Sequence, residues 1–209
     1  MQIETTFISN SVGRLEVLRG KSEGQAEGAI LILHPNPSQG GSNRNKVIQT
    51  LFKRALKSNY NAYAPNFRGV GQSEGTFDQG QGEQEDAALV WELMEKENST
   101  VPLVIAGFSL GGYIASLLAN KYLPRAAILI GAAVAHYPKV APPLPKDTLS
   151  LIIHGEQDEV VSLQSVEDWA RPQGRAMTLF LETSHFMHGK LILLEQTVAL
   201  FLQGLKAIE

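Results

Sequence analysis

A single serine stands among small residues where an apolar segment gives way to a helix-like one. The segment VPLVIAG (101–107) runs into Gly107-Phe108-Ser109-Leu110-Gly111, and SLGGYIASLLANKY (109–122) follows. The Gly-x-Ser-x-Gly spacing between a strand and a helix is typical of a strained turn that presents a nucleophilic serine. The alternative is a serine that caps a helix after a tight turn. This context favours a nucleophile that attacks a carbonyl carbon.

A serine hydroxyl needs a base to remove its proton, and the base needs an acid to orient it. In folds that carry this strand–serine–helix turn, the three residues follow one another along the chain in the order serine, acid, histidine. Asp158 lies in HGEQDEVV, just after a predicted strand, and we predict it to be the acid. Its neighbours Glu156 and Glu159 are interpreted as solvated loop charges. The alternative for Asp158 is a turn or N-cap residue before the next helix.

The base must be one of five histidines. Chain order and position argue against His34, at the end of a strand, His136, in a proline-rich loop, and His154, inside a strand segment. His185 and His188 both follow the last predicted strand. We predict His185 because it lies nearer the strand end, and His188, which adjoins the final helix, remains the alternative.

Acyl transfer also requires N–H groups that stabilise an oxyanion. The N–H of Leu110, directly after the nucleophile, is one predicted donor. The second should come from the loop HPNPSQGG, where Pro35 and Pro37 have no N–H to donate. Asn36 or Ser38 must then supply it, and we predict Asn36. The alternative interpretation of this loop is a proline-stiffened turn.

The elements around these residues predict the architecture. Two strand-like segments joined by a tight turn (TTFIS and RLEVLRG) come first, and strands and helices then alternate through the rest of the chain. Apolar residues at helical spacing predict a helix over 45–58, and short apolar runs such as AILILH predict buried strands. Strands are also predicted over 126–134 and 177–182. The final helix is predicted over 188–208, with one face formed by Leu191, Leu194, Val198, Phe201 and Leu205. This order predicts an α/β fold with a mostly parallel sheet, antiparallel N-terminal strands and helices on both faces. The candidate residues all follow predicted strands, so their loops should meet at the carboxyl ends of the sheet.

Bulk properties narrow the class of protein. The chain has 209 residues, a net charge of −3 and no cysteine. These properties predict one domain over residues 1–209, and they argue against a nucleic-acid partner, disulfides and zinc-thiolate sites. No apolar run is long enough to span a bilayer, and the N-terminus lacks a signal-peptide pattern. We expect a cytoplasmic monomer or homodimer without a membrane partner.

Taken together, the motifs resemble those of the α/β-hydrolase superfamily, in particular small lidless bacterial serine hydrolases similar to dienelactone hydrolases. The resemblance rests on HPNPSQGGSNRNKVIQTL, NFRGVGQSEGTFDQGQGEQEDA, GFSLGGYIA, HGEQDEVV and SHFMHGKL, which lie between residues 34 and 191. It implies an α/β-hydrolase fold without a cap domain, and a Ser-His-Asp triad of Ser109, His185 and Asp158. Two positions depart from the pattern of the group: Asn36 replaces a histidine, and Ser184 replaces an aspartate. Both are expected to line the site.

The expected function is a serine hydrolase that cleaves a small carboxylic ester or thioester without a cofactor or a metal. The alternatives are an acyltransferase or peptidase with the same triad, or a non-catalytic binding protein on this fold. The proline-rich loop 135–147 is too short for a helical lid, so we expect an open site that prefers short acyl groups. In the glycine-rich loop NFRGVGQSEG, which lacks a P-loop ending, Arg68 is expected to tie loops together. Four residues are predicted to line the substrate pocket: His34, Tyr113, His136 and Tyr137.

Overall fold

The structure is a computed structural model and describes residues 2–137 and 139–207. Its strands are β1 (Gln2–Asn10), β2 (Gly13–Lys21), β3 (Gly28–Leu33), β4 (Tyr60–Pro65), β5 (Leu103–Phe108), β6 (Ala126–Ile130), β7 (Leu149–Gly155) and β8 (Met177–Phe180). Its helices are α1 (Lys46–Lys57), α2 (Gln81–Glu97), α3 (Leu110–Tyr122), α4 (Leu163–Ala170) and α5 (Leu191–Lys206), with short 3₁₀ turns at Pro37–Gln39 and Arg171–Gln173.

The strands form one eight-stranded sheet in the order β1-β2-β4-β3-β5-β6-β7-β8. The pairs β1–β2 and β2–β4 are antiparallel, and the neighbours from β4 to β8 are parallel. The predicted α/β fold with an antiparallel start is therefore confirmed. The parallel part places the carboxyl ends of β3, β5, β6, β7 and β8 along one edge, where the candidate residues lie.

Helices cover both faces of the sheet, as the alternating pattern predicts. On one face α1 and α5 pack against β3, β5 and β6. Helix α1 shows why: its apolar side chains recur at helical spacing and are all buried, namely Val47, Ile48, Leu51, Phe52, Ala55 and Leu56. On the other face α2, α3 and α4 form the second apolar layer, with Trp91 and Trp169 among the large buried side chains.

Several predicted boundaries change in the structure. The strand predicted over 126–134 ends at Ile130, because Gly131 has a φ of 46°, which strand geometry does not allow. The last strand ends at Phe180 rather than residue 182. The final helix covers Leu191–Lys206 rather than the predicted 188–208, and Ile208 lies outside the described residues. On its inner face Leu202 is buried, whereas the predicted Phe201 is only partly buried.

The proline-rich loop is held to the body of the protein by hydrogen bonds. The Ala141 N–H donates to the Val134 carbonyl (2.7 Å), and Trp169 Nε1–H donates to the Ala141 carbonyl (2.8 Å). Arg175 donates to the Pro145 carbonyl (2.6 Å). In the described part of 135–147, which leaves out Pro138, there is no helix. Nor does any helix within 2–137 and 139–207 have the length and apolar character needed to cross a membrane.

Arg68 joins the glycine-rich loop to helix α2. Its backbone N–H donates to Asp86 Oδ2 (2.8 Å), and its guanidinium bonds both Asp86 (2.9 Å) and Glu85 (3.0 Å). Asp86 is fully buried, so loss of Arg68 would leave a buried carboxyl group without this partner. The hydrogen bonds that Arg68 donates to Asp86, together with the charge of Asp86, raise the pKa of Arg68 against the effect of burial. Arg68 thus connects its loop to a helix, whereas the sequence predicted that it ties loops together.

Candidate active site

Ser109 occupies a strained turn between β5 and α3. Its φ and ψ are 55° and −116°, a region that residues with a side chain seldom adopt, and the residue is 4% exposed. The neighbouring strand holds the turn in place: the Ser109 N–H donates to the Ile130 carbonyl (3.0 Å), and the Ser109 carbonyl accepts from the Ala133 N–H (3.1 Å). Strain that is held by its surroundings in this way is typical of functional sites.

The glycines around Ser109 are required by close backbone contacts. A Cβ on Gly111 would lie 2.1 Å from the Leu33 carbonyl oxygen, and one on Gly107 would lie 2.1 Å from the Gly111 oxygen. Both distances are far below van der Waals contact. The first turn of α3 therefore packs directly against the ends of β5 and β3, which brings Leu110 close to the loop after β3.

Asp158 and His185 form a hydrogen-bonded pair after β7 and β8. The Nδ1–H of His185 donates to Asp158 Oδ2 (2.7 Å), because a carboxylate only accepts. The other oxygen, Oδ1, accepts from the N–H groups of Val160 (2.9 Å) and Val161 (2.7 Å). Burial raises the pKa of Asp158, but these hydrogen bonds outweigh it and the pKa is lowered overall. The carboxylate therefore stays ionised.

This pair lies next to the serine turn. The His185 ring is 4.9 Å, between centroids, from the ring of Phe108, the residue before Ser109. Gly131, the residue after Ile130, comes within 3.3 Å of both Asp158 Oδ2 and His185 at the position where a Cβ would stand. Among the described residues Ser109 and His185 do not form a hydrogen bond, and catalytic contacts of this kind often close only with substrate.

The alternative residues lie outside this arrangement. His188 is exposed and its ring lies 5.9 Å from that of Phe186. Glu159 accepts the backbone N–H of His185 (3.3 Å), and Glu156 accepts that of Glu182 (2.9 Å). Both glutamates thus brace the loop that carries His185, while Asp158 contacts the imidazole itself.

The loop after β3 offers the second predicted oxyanion donor. The Asn36 side chain accepts from the N–H (2.9 Å) and the hydroxyl (2.8 Å) of Ser38, which folds the loop back on itself. No acceptor among the described residues pairs with the backbone N–H of Asn36 or with that of Leu110 in the first turn of α3. Both N–H groups thus lack a hydrogen-bond partner among the described residues, as donors to an oxyanion must.

His34 lies beneath this loop rather than on its surface. The residue is fully buried: its Nδ1–H donates to the Pro35 carbonyl (2.7 Å), and its Nε2 accepts from the Phe67 N–H (3.0 Å). Burial lowers the pKa of His34 to about 4, so the ring is neutral. Although the sequence suggests a pocket residue, the structure gives His34 the role of holding the loop to the end of β4.

The other predicted pocket residues form an aromatic group. The rings of Tyr113 and Tyr137 stack at 4.7 Å, and the exposed His136 meets Tyr137 edge-on at 5.8 Å. Burial, with the charge of Glu83, raises the pKa of Tyr137 to about 12, and the hydroxyl stays protonated.

Sequence reasoning missed Gly131, and the only signal for it was a glycine directly after an apolar strand.

These observations define the class: an α/β-hydrolase without a lid, with a serine turn beside an acid–histidine pair. The profile of the family described as serine aminopeptidase S33 matches residues 24–151. The chain belongs to this family of hydrolases.

Three relatives illustrate the similarity. The lidless α/β serine hydrolase XC6422 of Xanthomonas campestris is 31% identical, with a TM-score of 0.88 over 98% of this chain and 93% of that one. A serine hydrolase homologue from Coxiella burnetii is 32% identical, with a TM-score of 0.84 over 95% of this chain and 97% of that one. The uncharacterised protein RP471 of Rickettsia prowazekii is 30% identical over 176 residues, which cover 78% of this chain and 70% of that protein.

Proposed function

We propose that this protein is a serine hydrolase that cleaves a small carboxylic ester or thioester, with Ser109, His185 and Asp158 as its triad. The observation that carries the proposal is the 2.7 Å hydrogen bond from His185 to Asp158, made beside the strained turn of Ser109. An ionised, buried acid fixes the tautomer in which His185 Nε2 accepts a proton. A small substrate suits a site that the pinned loop 135–147 leaves without a helical cover.

The proposed reaction begins when Ser109 Oγ attacks the carbonyl carbon and His185 Nε2 takes the hydroxyl proton. Asp158 stabilises the imidazolium, and the N–H groups of Leu110 and Asn36 bind the oxyanion. His185 then gives its proton to the leaving alcohol or thiol as the bond to it breaks, which leaves an acyl group on Ser109. Water attacks this ester, again with His185 as base, and releases the acid and free serine.

Labelling with a fluorophosphonate probe tests the nucleophile. We expect the wild type to be labelled and Ser109→Ala to remain unlabelled, because the probe reacts only with an activated serine. Ser116→Ala is a matched control: Ser116 is buried in the helix that follows Ser109 and donates to the Gly112 carbonyl (2.9 Å), so labelling should persist. Equal labelling of wild type and Ser109→Ala would rule out the assignment.

A peptidase is the second candidate, because the matching family is described as a serine aminopeptidase. The same triad would then attack an amide, and His185 would protonate the leaving amine. Turnover of aminoacyl p-nitroanilides beside p-nitrophenyl esters distinguishes the two activities. Faster Ser109-dependent cleavage of the anilides would favour the peptidase and contradict the esterase proposal.

A further inference from the structure

A second buried imidazole lies behind the Asp158 carboxylate. His154, near the end of β7, is fully buried. Its Nε2 lies 3.0 Å from the Val161 carbonyl oxygen and 3.6 Å from Asp158 Oδ2, the oxygen that accepts from His185. Chain order argues against His154 as the base, and the proposed reaction assigns this side chain no role.

The surroundings of His154 keep the ring in one neutral form. A carbonyl oxygen only accepts, so Nε2 must carry the hydrogen. Nδ1 is buried and has no hydrogen-bond partner among the described residues. A proton added there would be a buried donor without an acceptor. Burial lowers the pKa of His154, although the charge of Asp158 acts in the opposite direction.

One residue, Val161, connects His154 to the acid through its two backbone polar groups. The Val161 N–H donates to Asp158 Oδ1 (2.7 Å), while the Val161 carbonyl accepts from His154 (3.0 Å). His154 therefore holds Val161, the residue whose N–H in turn holds the carboxylate. An apolar side chain at this position would leave a buried carbonyl unpaired and free the turn 158–161 to shift.

We propose that His154 is a positioning residue: its neutral imidazole fixes the turn 158–161 and so aims the Asp158 carboxylate at His185. Its effect on turnover rests on the proposed function, but its effect on the Asp158–His185 hydrogen bond does not. The titratable groups around it are Asp158 and His185, with Glu159 bound to the His185 backbone. His154 thus acts on Asp158 as outer hydrogen-bonding residues act on the side chains that bind a metal, by fixing the orientation of the side chain.

Kinetics of two substitutions test the role. His154→Phe removes the donor, and we expect kcat to fall roughly ten- to a hundredfold with little change in KM, because the base is misplaced rather than the substrate. The acid limb of the pH profile of kcat/KM should also move, since the limb reports the base. His154→Gln keeps an N–H at a similar reach and should retain most of the wild-type kcat.

Thr148→Val is the matched control for a lost buried hydrogen bond. Thr148 is buried just before β7, at the end remote from the site, and its hydroxyl donates to the Pro124 carbonyl (2.9 Å). This variant should lower stability without moving the pH profile. If His154→Phe leaves kcat and the acid limb unchanged, or if Gln is no better than Phe, the inference is wrong. Should the Phe variant not fold, His154→Asn, whose side chain is shorter, takes its place.

A second readout does not depend on turnover. The His185 Nδ1–H proton, bound to a carboxylate, can be followed by NMR at low field in Ser109→Ala protein and assigned by its loss in His185→Gln. Adding His154→Phe should shift or broaden this resonance, whereas adding Thr148→Val should not. An unchanged resonance would overturn the role of His154. Failure of Ser109-dependent labelling, with the resonance still responding, would overturn only the proposed function.

Discussion

The backbone N–H of Ser109 donates to the carbonyl of Ile130 at 3.0 Å, which ties the serine turn to the end of β6. The next residue, Gly131, has a φ of 46° and packs against Asp158 and His185. Ile130 therefore contacts the serine turn, and Gly131 contacts the acid–histidine pair. The spacing between serine and histidine is set by this strand end as well as by the loops that carry them.

Gly131→Ala should therefore impair turnover more than stability. The new Cβ would lie 3.3 Å from Asp158 Oδ2 and from two atoms of the His185 ring, so the pair must move by a few tenths of an ångström. We expect kcat to fall about tenfold or more. The left-handed backbone itself costs about 1 kcal/mol for alanine. Steady-state kinetics and urea unfolding measure the two effects.

Gly174→Ala provides the control for the backbone cost. Gly174 has a φ of 64°, and a Cβ there would meet no atom within 4 Å. This variant should lose similar stability and keep wild-type kcat. If both alanine variants lowered kcat equally, contact of Gly131 with the pair would not explain the effect.

Alanine substitutions at His185 and His188 test which of the two histidines is the base. His185→Ala should lower kcat on p-nitrophenyl acetate by at least about a thousandfold, since removal of one member of the proposed triad disables the whole unit. His188→Ala should change kcat less than about twofold, because its exposed ring contacts Phe186 rather than Asp158. Loss of turnover in His188→Ala alone would contradict the assignment.

An open site should favour short acyl groups. Hydrogen bonds of Ala141 and Pro145 hold the loop 135–147 against the body, and its described residues form no lid that could shelter a long chain. We expect p-nitrophenyl acetate and butyrate to give a higher kcat/KM than esters of about ten carbons or more. A series of chain lengths, with Ser109→Ala as the background, measures this, and efficient long-chain cleavage would contradict it.

His34 should make the protein less stable in mild acid. Its pKa is lowered to about 4 by burial, while an unfolded chain takes up the proton near 6.5. As the pH falls from 6.5 to 4 the unfolded state binds more protons, so the free energy of unfolding should drop by about 3 kcal/mol on this account. The loss is complete below pH 4 and absent above about pH 7.

Urea unfolding between pH 7.5 and 4 measures this slope in the wild type and in His34→Gln. The amide oxygen of glutamine can accept the Phe67 N–H, but the side chain does not titrate. The variant should show a shallower dependence on pH. His154, whose pKa is also lowered, contributes in the same direction and is unchanged in both proteins. Equal slopes in the two proteins would show that protonation of His34 does not cause the loss of stability in acid.

Much of the architecture follows from local patterns in the sequence. Apolar residues at helical spacing predicted α1, and short apolar runs between turns predicted the buried strands, because each pattern reflects the period of its own backbone. The motif around Ser109 and the chain order of Asp158 and His185 located the candidate residues, since parallel strands bring their carboxyl ends to one edge.

The tertiary structure decided the rest. It paired Asp158 with His185 rather than His188, placed His34 below the loop, and revealed the contacts of Gly131 and His154. Each of these depends on atoms from segments far apart in the chain. No local period or spacing encodes such contacts, because they arise only when the strands pack side by side.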